Sequence, residues 1–180
     1  MRTTTPPLML AVMSLLLSAC GAWQTVSTST SNVYHATFYK KLTTLDVDMK
    51  ARAMLNPDEL GRAYSVTVRI YQLKDPKRFQ NATYDELLTN DRTILAQDLQ
   101  DNRAVVIYPG ASASLSQALK AETQYIGIVA FYREANPGGG WRLVVPKKEL
   151  SADTPLMLEL VGDAIMPSKD TPPDLPAASG

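Results

Sequence analysis

From Leu45 to Ala53 the chain changes polarity at every step: Leu45, Val47, Met49, Ala51 and Ala53 alternate with Asp46, Asp48, Lys50 and Arg52. Successive side chains of a strand point to opposite faces, so this pattern buries one face of a β-strand and leaves the other in water; a helix could not use it. Tyr64, Val66, Val68 and Ile70 repeat the pattern against Ser65, Thr67 and Arg69, in a run rich in residues that suit a pleated surface. These two runs are expected to pair as a hairpin. Further strands are expected at Ala104–Tyr108, closed by Pro109-Gly110, and at Tyr125–Tyr132, Trp141–Val145 and Leu156–Val161, with the Asn-Pro-Gly-Gly-Gly run at 136–140 as a turn. Thr83 and Glu86 have the spacing of a capping box, so a short helix should begin there, bracketed by Asp75-Pro76 and Asn90-Asp91, with Ile94, Leu95 and Leu99 as a possible extension. Six or seven strands with one helical insertion argue for an all-β sandwich of two antiparallel sheets over a parallel α/β fold.

The ends of the 180-residue chain read differently. Met1 and Arg2 precede an apolar stretch, Leu8 to Leu17, that would rise only about 15 Å as a helix, half of a ~30 Å hydrocarbon core. That length suits the apolar region of a secretory signal. It ends in Leu17-Ser18-Ala19-Cys20, where Cys20 is the only cysteine. Small residues before a lone thiol resemble a bacterial lipobox, which makes residues 1–19 a lipoprotein signal peptide and Cys20 the acylated mature N-terminus. Covalent diacylglycerol and N-acyl (palmitate-type) chains on Cys20 would hold the protein to a bilayer, since stable anchoring takes two chains or more. Gly21, in place of an Asp that would suggest inner-membrane retention, points to the outer membrane, periplasmic face. Residues 20–32 are then the lipidated N-terminus and a Ser/Thr-rich flexible tether, with a mean span of about 18 Å for the stretch after Gly21. Residues 33–166 form the expected sandwich domain, and 167–180, with four prolines, a disordered Pro-rich tail.

Chemistry is scarce. With 18 basic and 18 acidic residues and no basic block, nucleic acid is not an expected partner. One His and one Cys make neither an internal disulfide nor a structural zinc site. His35 stands in no motif, no nucleophile elbow is present, and the Gly-rich run before Trp141 lacks the Lys-Ser/Thr pair of a phosphate loop. Asp46 and Asp48 share a strand face without a third acidic ligand nearby, which suits a solvated face better than a metal site. No catalytic residue, metal, cofactor or small-molecule substrate is therefore expected.

The unusual element is Met54–Arg62, which joins the two clearest strands and exceeds the two to five residues of most hairpin loops. It sets Leu55 and Leu60 beside Asn56, Pro57, Asp58 and Glu59; Pro57 stiffens it and Gly61 permits a turn. The residues alone leave a binding element and tolerated slack both open.

The lipobox, the tether, LDVDMKARAMLNPDELGR, SVTVRIYQLKD, FQNATYDELL and YIGIVAFYRE followed by WRLVVP occur here in an order and spacing that resembles the TssJ family, the outer-membrane lipoproteins of the type VI secretion system. The resemblance runs from about residue 20 to 162, and VRIYQLKD and the YDELL helix are its most specific parts. It implies a transthyretin-like β-sandwich with a small helical addition, no enzymatic activity, and a place in the trans-envelope membrane complex for protein secretion. In that family the loop between the first two main strands contacts the periplasmic C-terminal part of the inner-membrane protein TssM. The matching positions here are Leu55, Asn56, Pro57, Asp58, Glu59, Leu60 and Gly61. Many relatives carry a proline soon after the Gly-Arg pair, where this chain has Ala63-Tyr64-Ser65. Two competing classes are a periplasmic small-ligand or glycan-binding lipoprotein, marked by an exposed aromatic platform around Trp141, and a transthyretin-related hydrolase, which would need several His and Arg side chains.

Overall fold

The computed structural model describes residues 41–135, 138 and 140–168. The signal peptide, Cys20, the tether, residues 33–40 with His35, most of the 136–140 turn and the tail from 169 onward lie outside the described residues. The chain divides into units 1–41 and 42–180, and every strand described below belongs to the second.

Two four-stranded sheets form a sandwich. In the first, β1 (Thr44–Leu55) lies between β4 (Ser112–Ala118) and β7 (Leu156–Gly162), and β8 (Ala164–Pro167) closes the far edge. The β1–β7 pair is parallel, with Val47 opposite Leu156, while β1–β4 and β7–β8 are antiparallel. In the second, β2 (Val66–Leu73) lies between β3 (Leu99–Ile107) and β5 (Tyr125–Phe131), with β6 (Arg142–Pro146) beyond β5, all antiparallel. Val47 and Met49 from the first sheet, and Val68, Ile70 and Ile128 from the second, are fully or almost fully buried in one continuous core.

At its centre, in β2 and β5, the second sheet is buried on both faces, which accounts for the unbroken burial of Ile70 to Leu73 in β2. Its outer face is covered by α1 (Lys77–Asn81) and α2 (Tyr84–Ile94) through Phe79 and Leu87, and the Tyr71 and Phe79 rings lie 5.7 Å apart. Arg69 Nη1 fastens α2 by donating to Leu87 O at 3.0 Å and Asp91 Oδ2 at 2.9 Å, and Arg142 Nη1 donates to Ala82 O at 2.8 Å. Gly127 lets the helical layer approach, since a Cβ there would lie 3.0 Å from both Leu73 Cδ1 and Phe79 Cε2.

Several sequence expectations change. The Leu45–Ala53 and Tyr64–Ile70 runs do not form a hairpin; they lie in different sheets. Alternation fixes which face a strand buries, not which neighbour it bonds, and two amphipathic strands satisfy it equally well by facing each other across a core. Ala53 is exposed and Leu55 fully buried, because Ala51 lies opposite Leu160 but Leu55 opposite Gly162, so β1 bulges by two residues. The helix starts as expected, with Thr83 accepting from Glu86 N and Glu86 reaching back to Thr83 N at 2.8 Å. It then runs past Asn90, whose φ of −141° kinks it, and stops at Ile94; Leu99 opens β3. Strands β4 and β8 and helix α1 were not anticipated, and Pro167, assigned to the tail, ends β8.

Candidate functional site

The β1–β2 connection crosses from one sheet to the other and is held at its base by Asn56, which is 5% exposed and has φ +48°. Asn is among the few residues that adopt the left-handed region without glycine's freedom. Its backbone N–H donates to Gly162 O at 2.7 Å, its Nδ2 donates to Ser65 O at 3.1 Å, and its Oδ1 accepts from Arg133 N at 2.8 Å. One side chain thus ties the loop to the β5–β6 connection, while its backbone ties it to the β7–β8 turn.

The tip is organised by Asp58. Its Oδ1 accepts from Leu60 N at 3.0 Å and Arg62 N at 2.9 Å, and its Oδ2 from Arg62 Nε at 2.7 Å and Tyr64 Oη at 3.1 Å. Gly61, at φ +73°, completes the turn by donating to Asp58 O at 2.9 Å. The Arg62 backbone N–H above all, then the Arg62 guanidinium, the Tyr64 hydroxyl and the Leu60 N–H, hold the Asp58 carboxyl below the usual carboxylate range, against an opposing effect of desolvation. The same hydrogen bond to Asp58 raises the Tyr64 hydroxyl, and the Arg133 guanidinium sits 5.0 Å over the Tyr64 ring.

The seven loop positions therefore divide. Leu55 is fully buried and Asn56 almost so, which makes them supports. Asp58 is an internal brace. Pro57, Glu59, Leu60 and Gly61 are exposed, and Leu60, at 78%, is the most exposed large apolar residue among those described. Beside them opens a cleft of about 690 Å³ whose other walls are Arg133 and Glu134 after β5 and Gly162 and Asp163 at the β7–β8 turn. Its cations are engaged, Arg62 by Asp58 and Arg133 by Tyr64, whereas Glu59, Glu134 and Asp163 form no ion pair among the described residues. Sequence reasoning missed Arg133, Glu134 and Asp163, because nothing along the chain places the connections that carry them next to Asn56.

No group of three or more potential metal ligands occurs among the described residues. The aromatic neighbours of Trp141 form no platform: Trp141 and Tyr132 are buried, and Tyr84 meets Trp141 edge-on at 83°.

A sandwich whose connections converge on a braced, solvent-facing loop and an open cleft is a scaffold of the kind that engages other proteins through its loops. Residues 43–163 match the family described as the type VI secretion lipoprotein, VasD, EvfM, TssJ, and the chain belongs to that family. It is accordingly a lipoprotein component of the type VI secretion system. A solved type VI membrane complex contains a chain 35% identical, with a TM-score of 0.68, covering 71% of this chain and 99% of its own. The structure of the T6SS protein TssM C-terminal domain (869–1107) from EAEC contains a matching chain at 31% identity and a TM-score of 0.63, covering 70% and 98%. The T6SS lipoprotein TssJ1 from Pseudomonas aeruginosa matches at 25% identity and a TM-score of 0.60, covering 73% and 100%. No curated protein sequence matches the chain significantly.

Proposed function

We propose that this protein is a passive dock of the secretion system's membrane complex: acyl chains on Cys20 fasten it to the periplasmic face of the outer membrane, and the β1–β2 loop captures the periplasmic C-terminal domain of a TssM-like inner-membrane protein. The observation that carries the docking part is the position of Leu60, a large apolar side chain held in water at the tip of a loop that Asp58 and Asn56 have already ordered. A pre-ordered loop loses little entropy on binding, and a projecting Leu fits an apolar pocket on a partner. Pro57, Glu59 and Gly61 form the contact surface around Leu60, Asp58 keeps its shape, and Leu55 and Asn56 anchor its base. A chain 31% identical to this one occurs in a structure named for a TssM C-terminal domain, which supports the choice of partner. The protein needs no cofactor and turns over no substrate in this reading.

Replacing Pro57–Leu60 with a Gly/Ser segment of equal length, in the full-length protein purified in detergent, should abolish co-purification with the TssM-like periplasmic domain while the melting temperature stays within a few degrees. Undiminished co-purification would refute the loop assignment. Cys20→Ser should move the protein from the membrane to the soluble fraction, and membrane retention of that variant would refute the anchor.

A further inference from the structure

The cleft beside the β1–β2 loop is negatively charged on balance. Four carboxylates line it, those of Asp58, Glu59, Glu134 and Asp163, against two guanidinium groups, those of Arg62 and Arg133. Asp58 and Arg62 neutralise each other at 2.7 Å, and Arg133 lies over the Tyr64 ring. Glu59, Glu134 and Asp163 form no ion pair among the described residues, and Asn136, Pro137 and Gly139, which follow Glu134 in the chain, bring no cation. Four carboxylates against two guanidinium groups leave the cleft with a surplus of two negative charges.

Tyr132, next to Arg133 in the chain, is 3% exposed, and its hydroxyl has no hydrogen-bond partner among the described residues. Burial above all, then Asp163 and Tyr84, push that hydroxyl above its ordinary value, so it stays neutral where the Asp163 charge reaches it. A hydroxyl oxygen accepts as well as donates, so a cation drawn to Asp163 finds a second oxygen there without a partner. The carboxylates do not converge as metal ligands do, since no group of three potential ligands occurs among the described residues; cations spread over a polypeptide surface suit them better than one bound ion. A second copy of this chain would bring its own surplus of carboxylates to the same place. Resting on the docking role proposed above, we infer that the cleft receives a basic segment of the partner protein, with Lys or Arg side chains set among Glu59, Glu134 and Asp163 while Leu60 enters an adjoining apolar pocket.

The test is the affinity of the full-length protein in detergent for the TssM-like periplasmic domain, measured in about 0.05 M and about 0.5 M salt. Wild type should bind more weakly in the higher salt. In the lower salt the Glu59→Gln/Glu134→Gln/Asp163→Asn triple variant should bind at least about tenfold more weakly than wild type, mostly through slower association. It should melt like wild type, because none of the three carboxylates holds an ion pair among the described residues. A control with the same change of net charge, Asp48→Asn/Glu122→Gln/Glu149→Gln, should bind like wild type, since none of these residues lines the cleft. Wild-type affinity in the cleft variant, binding independent of salt, or an equal loss in the control would overturn the inference; the docking role would still stand if the Gly/Ser replacement of Pro57–Leu60 abolished binding. Binding that survives that replacement would overturn both.

Discussion

Asn56 and Arg133, 77 residues apart, meet in a 2.8 Å hydrogen bond from the Arg133 backbone N–H to the Asn56 side-chain oxygen, and this contact joins the β1–β2 loop to the β5–β6 connection. The same amide serves Ser65 O, so truncation leaves a donor and an acceptor without partners inside a nearly closed site. Asn56→Ala should cost about 2–3 kcal/mol in urea unfolding, since each stranded buried group costs about 1–3 kcal/mol and alanine is strained at φ +48°. Asn56→Gly should be milder, because it relieves the strain while losing the same hydrogen bonds. Equal effects of the two would separate the residue's role from its backbone conformation.

The Asp58 carboxyl is depressed by hydrogen bonds that exist only in the folded loop. A carboxylate with a folded value below its unfolded value of about 3.9 contributes stability that is present above the unfolded value and lost as pH falls through the folded one. The Asp58 side-chain carbon, followed by NMR, should therefore titrate below pH 3.9 or so, and the Leu60 and Arg62 amide resonances should shift with the same midpoint. Asp58→Asn should abolish that shared transition. Titration at or above the unfolded value would show that the brace does not hold in solution.

Gly127 and Gly61 need glycine for opposite reasons. A Cβ at Gly127 meets Leu73 and Phe79 at 3.0 Å, so Gly127→Ala should lose about 1–3 kcal/mol by forcing the helical layer off the sheet. At Gly61 nothing lies within 4 Å, but φ is +73°, so Gly61→Ala should lose about 1 kcal/mol through backbone strain alone. Gly61→Asn should recover part of that loss, whereas Gly127→Asn should be worse than Gly127→Ala. Denaturant midpoints of the four variants check both arguments.

What the sequence disclosed follows from which interactions are local. The alternation in β1 and β2 and the Thr83 capping box depend on neighbours along the chain, and both are present. Strand pairing is not local: Val47 bonds its way to Leu115 and Leu156, choices that the amphipathic pattern leaves open. Strand β4 escaped notice because its inward positions are Ala113, Leu115 and Gln117 among serines, a weak hydrophobic signal. At the site, the order and spacing of motifs drew attention to Leu55–Gly61, yet not to the division within it. Leu55 and Asn56 turn inward because the β1 bulge resets the register just before the loop, and that bulge arises from pairing with β7. Glu134 and Asp163 joined the site through Asn56, a contact that only the assembled sandwich creates.

In the proposed docking, Leu60 carries the binding energy of a loop otherwise devoted to its own shape. The decisive comparison is calorimetric titration of the TssM-like periplasmic domain into wild type and Leu60→Glu, both with the same melting temperature. A residue that acts as the hot spot of an interface is worth about 2 kcal/mol or more, so in that role Leu60→Glu should bind at least about thirtyfold more weakly. Equal affinity in the two proteins would show that Leu60 does not anchor the partner.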